Sequence, residues 1–263
     1  MRVIVLGVRR GRLEIKQFLR SRESVVFTLA FPIVMVTIFS LIYPGSLASG
    51  VRYSQYIVTG MIAAGLLATG FQGLGMQIPM ERDRGVLKRL AGTPMPKASY
   101  FIGKILMVLA IGAICTALLL AYAVLFIGVT LPTDPARWLT FAWVFVLGIT
   151  GCTLLGIAAS SLVSTGRGAS AVVTPIALVF QFISGVYFVF TSLPGWMQQV
   201  AALFPLKWMC QGMRSVFLPE SQAAFEPAGS WELGRVALVL AAWVVIGLAL
   251  CMLTFRWTSR RDG

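Results

Sequence analysis

The sequence contains no histidine and only nine acidic residues among its 263 positions. Its four cysteines stand far apart, with no CxxC spacing: Cys115, Cys152, Cys210 and Cys251. A metal centre or a hydrolytic site needs several such ligands or paired carboxylates within reach of one another. We therefore expect no metal site and no enzyme, and we expect the cysteines to pack as small apolar side chains.

Charge is also lacking inside the long apolar runs of the chain. Six runs reach the ~20 residues that a helix needs to cross a bilayer: 24–43, 54–79, 100–127, 138–163, 171–190 and 231–255. Lys104, Glu232 and Arg235 lie toward the ends of their runs, where long side chains can reach the headgroups. An ionisable group at mid-membrane costs about 2.5–3.5 kcal/mol and usually marks an ion pathway. The sequence thus predicts an all-α integral membrane protein with six spans, and argues against a proton- or ion-driven pump.

The positive charge of the chain is unevenly distributed between the two sides of the membrane. With the N-terminus inside, the cytoplasmic pieces and the inner boundary hold 17 of the 22 Lys and Arg residues. Because positive residues resist translocation, this bias places both termini in the cytoplasm of a multi-pass inner-membrane protein. The net charge of +13 then needs no nucleic-acid partner. We expect one domain over 1–263, ending in a cytoplasmic tail at 256–263.

The N-terminal segment, 1–23, has the pattern of an amphipathic helix. Four basic residues fall within one sector of about 80° on a helical wheel, opposite an apolar side: Arg9, Arg12, Lys16 and Arg20. Such a helix lies in the headgroup plane, with its basic face toward anionic lipid or a partner. The alternative is an ordinary positive-inside anchor.

The segment between the second and third spans is dense in mixed charge. It reads Glu81-Arg82-Asp83-Arg84-Gly85-Val86-Leu87-Lys88-Arg89-Leu90 and is followed by Thr93-Pro94-Met95-Pro96. Val86, Leu87 and Leu90 keep helical spacing, so a short helix could dock its apolar side while its charges meet a soluble partner. The prolines end that helix before the third span. A solvated connecting loop is the alternative.

The stretch 191–218, just before the last span, is apolar but broken by prolines. Pro194, Pro205 and Pro219 divide it into pieces of about a dozen residues, too short to cross the membrane. The pattern favours a re-entrant helical hairpin, with Pro194 and Pro205 near helix starts. Amphipathic surface helices remain the alternative.

Three spans carry small or polar residues every four positions. The stripes are Gly65, Thr69, Gly73 and Gln77 with the adjacent Gln72; Gly148, Cys152, Gly156 and Ser160; and Thr174, Leu178, Gln181 and Gly185. Close helix packing explains such stripes. A buried amide without a partner is costly, however, so Gln72 and Gln181 need a neighbour or a wet cavity.

In size, span layout and order of motifs, the chain resembles the membrane subunits of type-2 ABC exporters, particularly the drug-resistance and nodulation-factor export branch. Two motifs carry the resemblance: the loop from Glu81 to Pro94, and the segment from Leu193-Pro194-Gly195-Trp196 through Phe204-Pro205-Leu206 to Met213-Arg214. The resemblance implies that spans two and five form the transport pathway. Its candidate lining is Thr69, Gln72, Gly73, Gln77, Thr174, Leu178 and Gln181.

The same resemblance implies a coupling helix that contacts a separate ATPase and a re-entrant gate on the outer side. The coupling residues would be Glu81, Arg82, Arg84, Gly85, Leu87, Lys88 and Leu90. The gate residues would be Pro194, Trp196, Pro205, Trp208 and Arg214.

No P-loop motif, G-x-x-x-x-G-K-[ST], occurs in the sequence, since Gly103-Lys104 is followed by Ile105. If ATP drives this protein, another polypeptide must therefore bind it. The resemblance implies two copies of a partner ATPase that bind ATP and Mg, with no cofactor on this chain. We expect a homodimer or a heterodimer with a homologous permease that moves an amphipathic or hydrophobic cargo (a drug-like compound, a lipid or a glycan) outward. A secondary transporter or channel not driven by ATP is the alternative.

Overall fold

The computed structural model describes residues 2–47, 50–94, 96–163 and 165–254, and these are helical without a regular strand. Six helical segments are long and apolar enough to cross a membrane: Arg22–Ile42, Tyr53–Asp83, Ala98–Ile127, Pro135–Ala159, Gly166–Ile183 and Leu233–Thr254. They confirm the all-α class and the six predicted spans. The expected tail at 256–263 lies outside the described residues.

The chain forms eleven α-helices within its described part. They are α1 (Arg2–Arg20), α2 (Arg22–Ile42), α3 (Tyr53–Leu67), α4 (Gly73–Asp83), α5 (Val86–Ala91), α6 (Lys97–Tyr122), α7 (Pro135–Ala159), α8 (Gly166–Ile183), α9 (Gly195–Ala202), α10 (Pro205–Phe217) and α11 (Leu233–Thr254). A π-helical turn, Ala68–Gln72, joins α3 to α4 within the second span, and another, Ala123–Ile127, ends the third. Short 3₁₀ turns occupy Phe190–Ser192 and Glu220–Phe225.

The second and third spans are longer than a bilayer requires. They contain 31 and 30 residues, or about 45 Å of helix against a hydrocarbon core about 30 Å thick. Both are therefore long enough to extend beyond the hydrocarbon or to cross it at a tilt.

Small residues let the second span pack at the centre of the bundle. A Cβ on Gly156 of α7 would lie 2.5 Å from the Gly70 carbonyl oxygen, and one on Gly148 would lie 2.9 Å from the Met209 side chain. Close helix packing is thus confirmed at these two positions of the fourth-span stripe. The π-helical turn at Gly70 therefore packs directly against α7.

The fifth span begins and ends earlier than the hydropathy indicates, at Gly166 and Ile183 rather than at 171 and 190. Thr165 starts the helix, because its Oγ1 accepts a hydrogen bond from the Gly168 backbone N–H at 3.3 Å. The helix stops before the apolar run does, because Gly185 has a left-handed φ of 76°, a conformation that favours glycine. The apolar residues up to 190 therefore form a turn.

The stretch 191–218 folds into two short helices. As expected, α9 begins directly after Pro194 and α10 begins at Pro205. Every residue of α10 is buried, packed among α3, α7 and α11, whereas most of α9 is at least partly exposed. The membrane depth of this pair, and hence its re-entrant character, stays a prediction.

Candidate functional site

A cavity of about 500 Å³ lies between α2, the second span, α6 and α8. All seven residues predicted to line a pathway surround it: Thr69, Gln72, Gly73, Gln77, Thr174, Leu178 and Gln181. Gln72 Nε2 donates to Thr174 Oγ1 at 3.3 Å, joining spans two and five, and the Tyr187 hydroxyl donates to Gln181 Oε1 at 2.6 Å. The partly buried Gln72 and the buried Gln181 thus each have a hydrogen-bond partner.

The cavity wall is apolar with a few uncharged polar groups. Phe27, Phe31 and three methionines (Met61, Met76 and Met107) supply much of the surface. None of the described lining residues carries a charge. Flexible methionines adapt to ligands of different shape, and aromatic rings offer flat contact area. The arrangement can therefore hold an amphipathic organic molecule, but it offers no fixed charge to an inorganic ion.

Next to the cavity lies a group of polar side chains, here called the ionic cluster: the buried Glu14, Tyr100 and Lys104 and the partly buried Glu81. Lys104 Nζ bonds Glu14 Oε2 and Glu81 Oε1, each at 2.6 Å, and the Tyr100 hydroxyl donates to Glu81 Oε2 at 3.0 Å. Lys104 is fully buried, so the expectation that it reaches the headgroups is wrong. The two carboxylates hold its ammonium inside the protein, since they replace the water that it would otherwise need.

The ionic cluster is linked directly to the cavity. Gln77, in the cavity wall, donates through Nε2 to Glu81 Oε1 at 2.9 Å. Glu14 extends the cluster to α1, and Lys104 extends it to α6. One turn of α4 therefore connects the cavity, the N-terminal helix and the third span.

Arg82 and Asp83 bind the connection between α7 and α8. The Arg82 guanidinium donates to the carbonyl oxygens of Val163 (3.2 Å) and Ser160 (3.3 Å) beyond the end of α7. Asp83 Oδ2 accepts from the Gly166 N–H at 2.6 Å at the start of α8. Both contacts match helix electrostatics, because a cation sits at a C-terminus and an anion at an N-terminus.

The predicted short helix after these residues is α5. Gly85, with φ 70°, makes the left-handed turn between α4 and α5. Arg84 and Lys88 are exposed, and Leu90 is partly buried against the core. Leu87 is fully buried within this chain, and Glu81 faces the ionic cluster. Arg84 and Lys88 are therefore placed to touch a partner directly. Leu87 and Glu81 contact other parts of this chain instead, so any role they have in coupling is indirect.

The N-terminal helix α1 follows α6 side by side. A Cβ atom on Gly7 would lie 2.6 Å from Ile102, and one on Gly11 would lie 3.1 Å from Leu106. Contacts four residues apart on α1 thus match contacts four residues apart on α6, so the two helices run in the same direction. The position of α1 relative to the headgroup plane stays a prediction. The four basic residues of the predicted face, Arg9, Arg12, Lys16 and Arg20, are exposed.

Sequence reasoning missed Glu14, which bonds Lys104 from α1. Two signals could have found it. Gly7 and Gly11 are four residues apart, as are Ser99 and Gly103 on α6, a spacing typical of close helix pairs. Glu14 lies one turn further along the same face.

At the opposite end of the bundle, α10 carries a second buried polar group. Arg214 Nη1 bonds Glu226 Oε1 at 3.2 Å, its Nη2 donates to the Gly185 carbonyl, and its guanidinium lies 4.1 Å from the centre of the Tyr56 ring. Burial lowers the pKa of the nearby Lys207 amine. The hydrogen bond from Arg214 to Gly185 joins α10 to the turn after α8.

The predicted gate residues separate into two groups in the structure. Trp208 is buried within α10, as Arg214 is, and its indole N–H donates to the Ala202 carbonyl at 2.7 Å. Pro205 is buried at the start of α10. Trp196 and Pro194 lie on the outside of the chain, with Trp196 63% exposed. The structure thus does not bring the five into one constellation.

These features define a multi-pass membrane protein: six spanning helices, an uncharged cavity between them, and a short, charged helix at one end. The sequence model of the ABC-2 type transporter family matches residues 11–218, most of the chain. The chain belongs to this family.

Several curated proteins are similar to the chain over about three quarters of its length. Inner membrane transport permease YadH of Escherichia coli K12 is 25% identical over 215 residues, 78% of this chain and 80% of that protein. Probable doxorubicin resistance ABC transporter permease protein DrrC of Mycobacterium tuberculosis is 28% identical over 205 residues, 74% and 70%. Putative transport permease ycf38 of Porphyra purpurea is 25% identical over 200 residues, 74% and 68%. The chain is accordingly a membrane permease component of an ABC transporter, and its family implies partnership with an ATPase subunit.

Proposed function

We propose that this permease moves an amphipathic or hydrophobic cargo outward, powered by two copies of a separate ATPase that bind ATP and Mg. The cargo class includes drug-like compounds, lipids and glycans. The permease pairs with a second copy of itself or with a homologous chain, and both termini face the cytoplasm. The relative named as a doxorubicin resistance permease supports a drug-like cargo.

The observation that carries the proposal is the cavity of about 500 Å³ between spans two and five. Its volume falls within the range of about 300–1,000 Å³ that is typical of sites for small organic ligands. The Gln72 and Gln181 amides give a polar cargo group something to bond, while phenylalanine and methionine side chains receive its apolar part. An amide exchanges one hydrogen-bond partner for another at small cost, so cargo can bind and leave.

The contacts of α4 supply a route from the ATPase to this cavity. A partner that binds the exposed charges Arg84 and Lys88 displaces α5 and the turn at Gly85. That movement reaches Glu81 and then Gln77 in the cavity wall. Because Arg82 and Asp83 hold α7 and α8, the same movement also shifts the fifth span.

A secondary transporter is the second candidate, and the ionic cluster favours it. Two carboxylates, Glu14 and Glu81, share Lys104 next to the cavity, and ionisable groups within a membrane protein are typical of ion-coupled carriers. The uncharged cavity wall favours the ATP-driven function instead, since ion-coupled carriers place ionisable groups along their pathway.

Gly65→Trp tests the role of the cavity. Gly65 lines the cavity, and a Cβ there would have no neighbour within 4 Å, so the indole fills the cavity without disturbing helix packing. In inside-out vesicles with the cognate ATPase, we expect uptake of a fluorescent amphipathic dye and of a fluorescent short-chain lipid to fall to background.

Gly234→Trp is the matched control, because Gly234 also has open space around it and does not line the cavity. We expect this variant to transport at the wild-type rate. Equal transport by both variants at equal protein level would remove the cavity from the pathway.

A further inference from the structure

A second cavity, the α6–α7 groove, lies in the half of the bundle away from the ionic cluster. Its volume is about 780 Å³, and none of its described lining residues is charged. Ala113, Ala117 and Ala121, each one helical turn from the next, form one side. Trp138 and Phe145 of α7 contribute to the other. The groove shares no lining residue with the cargo cavity, so it is a separate site.

The groove ends at a polar pocket of about 630 Å³, here called the rim pocket. Leu131 lines both the groove and the pocket. Trp138, in the groove wall, donates through Nε1 at 2.9 Å to the carbonyl oxygen of Pro132, in the pocket wall. An apolar groove on the outside of the bundle therefore continues into a polar surface at its end.

Two arginines give the rim pocket its positive charge. Arg52 donates to the carbonyl oxygens of Gly128 (2.6 Å) and Ile127 (3.2 Å) at the end of the third span. Arg137 donates through Nη1 to the carbonyl oxygens of Leu218 (3.0 Å) and Val216 (3.4 Å). A guanidinium has more N–H donors than these bonds use, so the carbonyls fix both groups while donors remain for an anion.

Asp134 also lines the rim pocket, but its carboxylate caps the N-terminus of α7. Its Oδ1 accepts the Ala136 backbone N–H at 2.9 Å, as an N-cap. The positive end of the helix dipole offsets that carboxylate. The described pocket wall thus keeps a net positive charge, from two arginines against one aspartate.

We propose that the groove and the rim pocket together bind a phospholipid of the surrounding leaflet. The phosphate lies against Arg52 and Arg137, because guanidinium groups bind phosphate oxygens through paired, charge-assisted hydrogen bonds. An acyl chain lies along the alanine side of α6, where the small side chains leave room for it. The site is independent of the cargo cavity, so the lipid is a bound component and not the cargo.

Ala117→Phe tests the groove. Ala117 is exposed to the groove, so the ring occupies the space of the acyl chain without entering the protein core. Leu118→Phe is the matched control, because Leu118 is the exposed neighbour that does not line the groove. The protein is purified from bilayers that contain phosphatidylglycerol and diacylglycerol. Native mass spectrometry then identifies the lipid that stays bound from the mass it adds to the chain.

We expect one phosphatidylglycerol to remain on each wild-type and Leu118→Phe chain and to be lost from Ala117→Phe. Diacylglycerol, which lacks a phosphate, should not remain. Arg137→Gln should weaken phospholipid retention about fivefold, the effect of one basic residue near an anionic headgroup. Arg235→Gln, at an exposed arginine of α11, should not change it.

Four results would overturn the proposal. Ala117→Phe could retain phospholipid as the wild type does, or diacylglycerol could be retained equally well. Inorganic phosphate could bind in place of the lipid. A dimer mass lost only in Ala117→Phe would make the groove a contact between copies of the chain.

Discussion

Lys104 is the residue whose environment departs most from what its position in the sequence suggests. Hydropathy places it at the mouth of a span, where a lysine normally reaches water. The structure places it between Glu14 and Glu81, fully buried, because α1 covers this part of α6. A pattern along one helix does not show which other helix covers it, so sequence reasoning could not supply this pairing.

Lys104→Met should be strongly destabilising. It leaves the Glu81 carboxylate without its counter-ion and the buried Glu14 carboxylate with Arg10 alone, and breaking a buried pair from one side costs about 3–5 kcal/mol. We expect the midpoint of unfolding in a denaturant titration of the purified protein to fall accordingly. Arg84→Met, which removes an exposed charge from the same region, should leave the midpoint nearly unchanged.

Adding Glu14→Gln and Glu81→Gln to Lys104→Met should restore part of the lost stability, because no unpaired charge then stays buried. A Lys104→Met protein as stable as the Arg84→Met protein would mean that the cluster is open to water.

The polar lining of the cavity could be predicted at the residue scale because its signal is local. Gln72 and Gln181 are expensive inside a membrane unless they have partners, and their spacing along each span gave the correct face. Leu87 shows the limit of this reasoning. Helical spacing identified its apolar side, but only the fold shows that this side docks on the same chain.

At the scale of elements, the π-helical turn of the second span packs backbone against backbone on α7. Gly156→Ala should destabilise the protein by about 1–3 kcal/mol, the usual cost of overpacking. The added Cβ would lie 2.5 Å from the Gly70 carbonyl oxygen, and backbone must move to admit it.

Gly151→Ala is the control on the same helix, because its nearest new contact is an ordinary 3.8 Å to Val244. Denaturant titration of both variants should show a loss for Gly156→Ala alone. Equal stability of the two would contradict the close approach of α7 to the second span.

The number and type of elements could be predicted from the sequence, and their ends less well. Apolar length sets a span, so all six were found. Backbone geometry decides where a helix stops, as the left-handed Gly185 shows for the fifth span. The complete burial of α10 was also beyond the sequence, because Lys207 and Arg214 make it look half polar until their buried partners are known.

At the scale of the whole molecule, α4 connects the charged helix α5 to the uncharged cavity, because Gly73, Met76 and Gln77 of α4 line the cavity wall. The order of motifs indicated the family from the sequence, and the family match supports it over residues 11–218. The side-by-side packing of α1 on α6 adds a connection that the order of motifs does not contain. Through Glu14 and Glu81, α1 and α4 therefore both contact the ionic cluster next to the cavity.

We propose that ATP hydrolysis by a separate subunit drives cargo through this permease. The direct measurement is uptake of a labelled amphipathic compound by inside-out vesicles that contain the permease, its ATPase and Mg-ATP. Uptake should require all three components and stop when the P-loop lysine of the ATPase is replaced. Uptake by the permease alone under an ion gradient would contradict the account and favour a secondary carrier.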